Sequence, residues 1–298
     1  MMNINKDCDY TSEVILLTKN DHEDEFRCWL DWHLNVIKFD HAVVFDNESN
    51  ADVKNVCNEY GDRVDYHFVS GWPDMNKLRN EQIKSSLAKW VIPLDDDEFL
   101  YVGDKYNHSV NEFLNSMYSI YHRNKVYIAW VNLMSKDEIQ FKSDLYINTH
   151  TYYSNKALLN IYRYWRADNG WGKCFSNTEF PHYYSSHNRY SSGHIPRYTS
   201  GDNTAICVNG NKVLREWQPG GIEVNTDCFI AHYQFKTLND WKIKCSRPLA
   251  DNKITKPAPY AHVYEKLYRH KNLFEPFTLM KDTWNNYIRN KESNNEIN

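Results

Sequence analysis

An apolar run, Trp90-Val91-Ile92-Pro93-Leu94, passes without a break into Asp95-Asp96-Asp97-Glu98 and then back to Phe99 and Leu100. Four adjacent carboxylates repel one another, and apolar residues on both sides anchor them in a core. Something cationic must compensate. Hard carboxylate oxygens favour Mg2+ or Mn2+. A D-x-D spacing lets Asp95 and Asp97 turn toward one site while Asp96 points elsewhere. A solvated acidic turn is the competing reading.

What precedes the turn weighs against that bland reading. Residues 13–19, 41–46, 64–69 and 90–94 are short β-rich runs. Between them, residues 24–37, 51–60 and 75–89 carry helical spacing or helix signals. Residues 24–37 place Phe26, Leu30, His33, Leu34 and Ile37 on one face, behind an acidic start at Asp21, Glu23, Asp24 and Glu25. Strands separated by helices at this spacing predict a parallel sheet. Ligands of such sheets bind at the carboxyl ends of strands. Polar clusters fall at three of those ends: 18–21, 46–49 and 95–98. Neither a G-x-G-x-x-G nor a P-loop signature is present to explain them.

The rest is less regular. Residues 125–132 and 228–232 are expected as strands, 165–220 as long aromatic-rich loops, and 239 onward as helices interrupted by Pro248, Pro257 and Pro259. The last ten residues are expected to fray. The chain has 298 residues, 41% hydrophobic and 25% charged, as in ordinary globular proteins. A net charge of −4 argues against a protein built to bind nucleic acid. No apolar stretch is long enough to span a membrane, and the polar first ten residues lack a signal core, so a cytoplasmic protein is expected. Seven scattered cysteines without a C-x-x-C pair read as reduced thiols. Aromatics make up 15% of the chain. Most must pack a core, and some are candidates to line a sugar groove.

Three segments together resemble glycosyltransferases of the GT-A fold, in the family-2-like and family-92-like branch. They are residues 16–33 (LLTKNDHEDEFRCWLDWH), 43–52 (VVFDNESNAD) and 90–100 (WVIPLDDDEFL), followed by a later 232–236 (HYQFK). The likeness covers roughly residues 13–245. It departs at Asp21 and His22, where the branch carries a Glu; Glu23 is a substitute. The resemblance implies an α/β GT-A architecture: a mostly parallel twisted sheet flanked by helices, a loop-rich acceptor half and C-terminal helices. The implied domain covers 1–245, with a nucleotide-sugar half at about 11–132 and an acceptor half at about 133–245. Residues 246–298 form a helical appendage.

It further implies a nucleotide-sugar donor, UDP-linked, and a divalent metal, Mn2+ or Mg2+, held by Asp95, Asp97 and His232. A buried structural histidine is the other reading of His232. Thr18, Asn20, Asp46 and Asn47 would contact base and ribose, although turn and cap chemistry favours the same residue types. Asp96 joins the donor-binding set. Glu98 would accept a bond from the sugar or orient the turn. Arg79 would meet the diphosphate or the acidic cluster, or lie on a solvated helical face. Lys236 would meet the diphosphate as a point charge.

Inversion, by analogy with the family, needs a carboxylate base. Asp168, Glu179, Asp202, Glu223 and Asp227 qualify by type, and Glu179 and Asp202 are favoured for their place in the aromatic segment. Trp165, Trp171, Tyr183, Tyr184 and Trp217 are sugar-platform candidates, each also a core candidate. The expected acceptor is a saccharide or lipid-linked surface glycan. Peripheral membrane contact through 256–289 is set against a packed appendage. The rivals are a metal-dependent nucleotidyl- or phosphotransferase, a glycoside hydrolase with paired carboxylates, and a non-catalytic carbohydrate-binding protein.

Overall fold

The computed structural model describes residues 8–19, 22–71, 74–153, 172–180, 182–183, 197–198, 205–213, 225–246 and 263–295. The chain divides into two compact units, one of residues 1–130 and 169–230, the other of 131–168 and 231–298.

The first unit is a mixed α/β layer. Strands β1 (Tyr10–Thr18), β2 (His41–Asp46), β3 (Val64–Phe68) and β4 (Ala88–Leu94) run parallel in the spatial order β4-β1-β2-β3. Helices α1 (Glu23–Asp31), α2 (Val53–Asn58) and α3 (Met75–Ser85) lie between them in sequence. All six residues of β2 are buried, as a parallel sheet covered on both faces requires. On one face Ile83 of α3 packs against Ile15, Val43, Phe45, Ala88 and Val91. Each such aliphatic or aromatic side chain contributes roughly 1.5–3 kcal/mol by leaving water. The Asp52 carboxylate accepts from Asn55 N to cap α2, and Asp74 accepts from Lys77 N to cap α3.

Beyond β4, the described residues add β5 (Glu98–Val102), α4 (Val110–Tyr121) and β6 (Lys125–Met134). The segment expected as loops contributes β8 (Gly172–Asn177), antiparallel to both β6 and β4 and seated between them. Its sequence, GKCFSN, carries no strand alternation because it is buried throughout. The short strands β11 (Ala205–Cys207) and β12 (Lys212–Val213) extend the sheet beyond β6, and β9 (His182–Tyr183) pairs with β10 (Arg197–Tyr198). Strand β13 (Cys228–His232) has the expected bounds and pairs with β5.

Two helices differ from expectation. The first does not run evenly to residue 37: it loosens into a π turn over Trp32–Val36, closed by Ile37 N donating to Trp32 O at 2.9 Å. Helix α3 stops at Ser85, because the Ser86 hydroxyl accepts from Ala88 N and turns the chain into β4.

The second unit contains α5 (Tyr146–Thr149), β7 (Tyr152–Tyr153), α6 (Leu238–Ser246), α7 (Val263–Arg269), β14 (Glu275–Pro276) and α8 (Leu279–Asn295). Its core joins Met134, Phe235, Trp241, Tyr264, Leu267 and Tyr268. Helix α8 continues to Asn295, so most of the stretch expected to fray is helical. Among the described residues no helix is long and apolar enough to cross a membrane.

Candidate functional site

Strand order creates the site. The chain lays β1, β2 and β3 outward to one side, then returns to place β4 on the other side of β1. The carboxyl ends of β1 and β4 therefore flank a topological switch point, where open α/β sheets hold ligands. Register brings the expected residues to that edge: Leu16 pairs with Leu94 and Thr18 with Asp46. The Thr18 hydroxyl donates to Asp96 Oδ2 at 3.2 Å, joining the end of β1 to the acidic turn. Asn47 N donates to Thr18 O at 2.8 Å, joining β2 to β1.

The turn is closed on itself. Glu98 N donates to Asp95 O at 3.0 Å, and Asp95 N donates to Glu98 Oε2 at 2.9 Å. Two protein cations answer the carboxylates. Arg79 lies 3.2 Å from Asp95 Oδ1, and Lys173 Nζ lies 2.8 Å from Asp95 Oδ2 and 3.3 Å from Glu98 Oε2. Burial tends to raise the Asp95 pKa, but Lys173 and Arg79 outweigh it and hold the carboxyl well below the usual carboxylate range. Glu98, fully buried, goes the other way: burial, with help from Asp95 and Asp97, pushes it up to about 8 against the pull of Lys173. Its Oε1 has no hydrogen-bond partner among the described residues.

Sequence reasoning missed Lys173. The charge imbalance demanded a cation, but one of 35 lysines and arginines could be singled out only by the strand that carries it.

A second set of residues braces the strand behind the turn. Trp29 Nε1 donates to Glu98 O at 2.9 Å, and Trp32 Nε1 donates to Leu100 O at 2.6 Å. His33 Nδ1 donates to Trp29 O at 2.8 Å, which leaves Nε2 to accept from Leu100 N at 3.2 Å. Burial pushes His33 down to about 3, so the ring is neutral and this donor–acceptor split is its stable tautomer. Trp29 is in α1 itself, whereas Trp32 and His33 begin the π turn.

The other expected residues are placed as follows. Asp46 accepts from Ser49 N and from the Tyr66 hydroxyl, both at 2.9 Å, and the Asn47 amide donates to Val69 O and Gly71 O, so both have local turn partners. Asp97 is buried within the acidic turn. Glu179 is not brought to that turn. Strand β8 is antiparallel to β4, pairing Asn177 with Trp90, so Glu179 comes level with the amino end of β4. That is roughly 20 Å from Asp95 at about 3.3 Å per residue. Its carboxylate accepts instead from the Asn177 amide. Asp227 sits at the far end of β5, its carbonyl accepting from Gly103 N.

In the second unit, His232 is the buried last residue of β13. The Lys236 ammonium lies 5.3 Å from the Tyr146 ring centre, and His150 Nε2 donates to the Phe235 and Lys236 carbonyls. Asn20, Asp202, Asp168, Glu223, Trp165, Trp171, Tyr184 and Trp217 lie outside the described residues, and of Tyr183 the strand β9 gives the backbone only.

Carboxylates at this edge fit a hard cation by donor type. Among the described residues no three His, Cys, Asp or Glu side chains group to form a complete cage. A site with one or two carboxylates, finished by substrate phosphate and water, is the usual arrangement for Mg2+. Both Asp95 oxygens already meet protein cations, so an ion reaching Asp95 would share it with Lys173 and Arg79.

No protein-family model and no curated protein matches the chain. Among solved structures it is similar to S. aureus TarS 1–349, at 13% identity over 78% of this chain and 63% of that one, TM-score 0.38. It is also similar to S. aureus TarS 1–349 in complex with UDP-GlcNAc, at 14% identity over 56% and 45%, TM-score 0.31. A third likeness is to 4-diphosphocytidyl-2C-methyl-D-erythritolsynthase from Anaerococcus prevotii DSM 20548, at 14% identity over 45% and 60%, TM-score 0.25. The chain spans less than two thirds of the length of each.

Proposed function

We propose that the chain is a metal-dependent glycosyltransferase that moves a sugar from a UDP-linked donor to a saccharide or lipid-linked glycan acceptor, with inversion. The observation that carries this reading is the acidic turn at the switch point between β1 and β4, fixed there by Thr18, Arg79 and Lys173.

The chain's own residues divide the work. Thr18 orients the Asp96 carboxylate across the crevice. Asp97, with Asp95 sharing its charge, supplies the hard oxygens. Arg79, at the edge of the turn, adds a forked donor that suits a diphosphate. A bound Mg2+ or Mn2+ would neutralise charge gathering on the departing nucleoside diphosphate. The acceptor's proton needs a carboxylate base, and with Glu179 placed at the opposite end of β4, Asp202 is the candidate kept.

The test is incubation with a panel of UDP-sugars, Mn2+ and saccharide acceptors. A glycosidic product is expected. Pyrophosphate release without glycoside would mean a nucleotidyltransferase. Metal-independent glycan binding without turnover would mean a carbohydrate-binding protein.

A further inference from the structure

Lys173 is a lysine inside a sheet, 1% exposed. It is there because β8 presses against β6: Gly172 pairs with Ala129 and Lys173 with Ile128. A Cβ on Gly172 would collide with the Ile128 carbonyl, so only glycine permits this approach. Removing an ammonium from water costs several kcal/mol unless geometry and partners compensate. Here one ammonium meets two carboxylates, Asp95 and Glu98, which are the first and last residues of the acidic turn. The Trp130 ring, 6.0 Å away, covers another side.

We propose that Lys173 is a positioning residue for donor binding: by gripping Asp95 and Glu98 together it fixes the backbone between them, and so where Asp96 and Asp97 present their carboxylates to the cation and diphosphate. It acts through those residues and does not itself touch the donor. The turn's other closures cannot replace it. The two Asp95–Glu98 hydrogen bonds join the same two residues, but both lie within the turn and neither ties it to a neighbouring strand. Arg79 reaches Asp95 alone. Lys173 alone, among the described contacts, spans both ends from outside the turn. The inference rests on the reading of this turn as the donor site.

The experiment compares the full chain with Lys173→Met, which keeps an unbranched side chain one atom shorter and removes its charge. UDP binding in Mn2+ is measured by calorimetry, Mn2+ alone by electron paramagnetic resonance, and melting temperature alongside. Lys173→Met is expected to weaken UDP–Mn2+ binding at least tenfold and to raise the donor KM more than it lowers kcat. A folded variant with a lower melting temperature but UDP affinity within twofold of wild type overturns the proposal, because the lysine then only balances charge. Should Lys173→Met fail to fold, Glu98→Gln carries the test. It keeps an acceptor for Asp95 N but replaces the carboxyl group that Lys173 reaches at 3.3 Å with a neutral amide. A threefold or greater loss of UDP affinity supports the proposal and an unchanged one overturns it. A wild-type chain that binds no UDP in Mn2+ defeats the functional reading and this proposal together. Wild-type binding with unaffected variants defeats this proposal alone.

Discussion

The indole Nε1 of Trp29 lies 2.9 Å from the carbonyl oxygen of Glu98 and donates to it. A helix that follows the first strand thus holds the end of a turn that follows the fourth. Trp29 is 1% exposed, so neither partner has water as an alternative.

Trp29→Phe keeps an aromatic ring in place and deletes only the donor. The buried Glu98 carbonyl then loses this donor, at a cost of about 1–3 kcal/mol. Urea unfolding should show a lower midpoint with an unchanged slope. A midpoint equal to wild type would mean the indole bond contributes nothing net.

Gly172→Ala should be far more damaging than its one methyl suggests. The new Cβ would collide with the Ile128 carbonyl oxygen and stand 2.8 Å from its carbon, both backbone atoms in a paired strand. Neither can rotate away, so β8 must shift and carry Lys173 with it. Overpacking of this kind typically costs 1–3 kcal/mol, and a backbone clash lies at the upper end. Little soluble protein, or a strongly lowered melting temperature, is the expected outcome. A variant melting within a degree or two of wild type would show that β8 is not pressed against β6.

These two positions also mark how far the sequence was legible. The parallel strands declared themselves, because buried apolar runs such as His41–Asp46 alternate with helices, and polar clusters at three of the four strand ends mark the candidate ligand edge. The strand GKCFSN did not. Its lysine and asparagine are buried by tertiary partners rather than by pattern, so nothing local distinguishes it from a loop. The place of Glu179 was hidden for the same reason: an antiparallel β8 carries it to the amino end of β4, and strand direction is not written in local sequence. His33 falls on the face that spacing predicts to be buried, and Trp29, which that spacing does not single out, is buried as well; spacing cannot show that their ring nitrogens serve a neighbouring strand.

His33 should make the fold acid-sensitive. Burial lowers its folded pKa to about 3, against an ordinary 6.5, so below 6.5 the unfolded chain takes up a proton that the folded chain refuses. Its stabilisation is fully present above pH 6.5 and is lost as pH falls toward 3, with a limiting slope of about 1.4 kcal/mol per pH unit. His150, lowered to about 4 chiefly by burial, acts in the same direction, whereas Glu98, raised to about 8, acts oppositely between 4.5 and 8. The clean readout is therefore the difference between wild type and His33→Gln. The variant should be less stable at pH 7 and its deficit should shrink steadily on acidification to pH 4. A deficit independent of pH would mean that His33 protonates in place.

Asp97→Asn separates function from folding. The side chain is buried in a turn that also holds Asp95 and Glu98, and its charge raises the pKa of both. Removing that charge with an amide of the same shape relieves repulsion in a region where water screens little. Stability should stay level or rise. The amide is neutral, however, and a poorer ligand for a hard cation than a carboxylate. Mn2+-dependent transfer should fall at least a hundredfold while the melting temperature holds or increases, the exchange expected where like charges are kept together for function. Steady-state turnover at saturating Mn2+ and a thermal melt on the same preparation decide it. Unchanged turnover would remove Asp97 from the site, and a large drop in melting temperature would show that its charge is instead part of what holds the turn together.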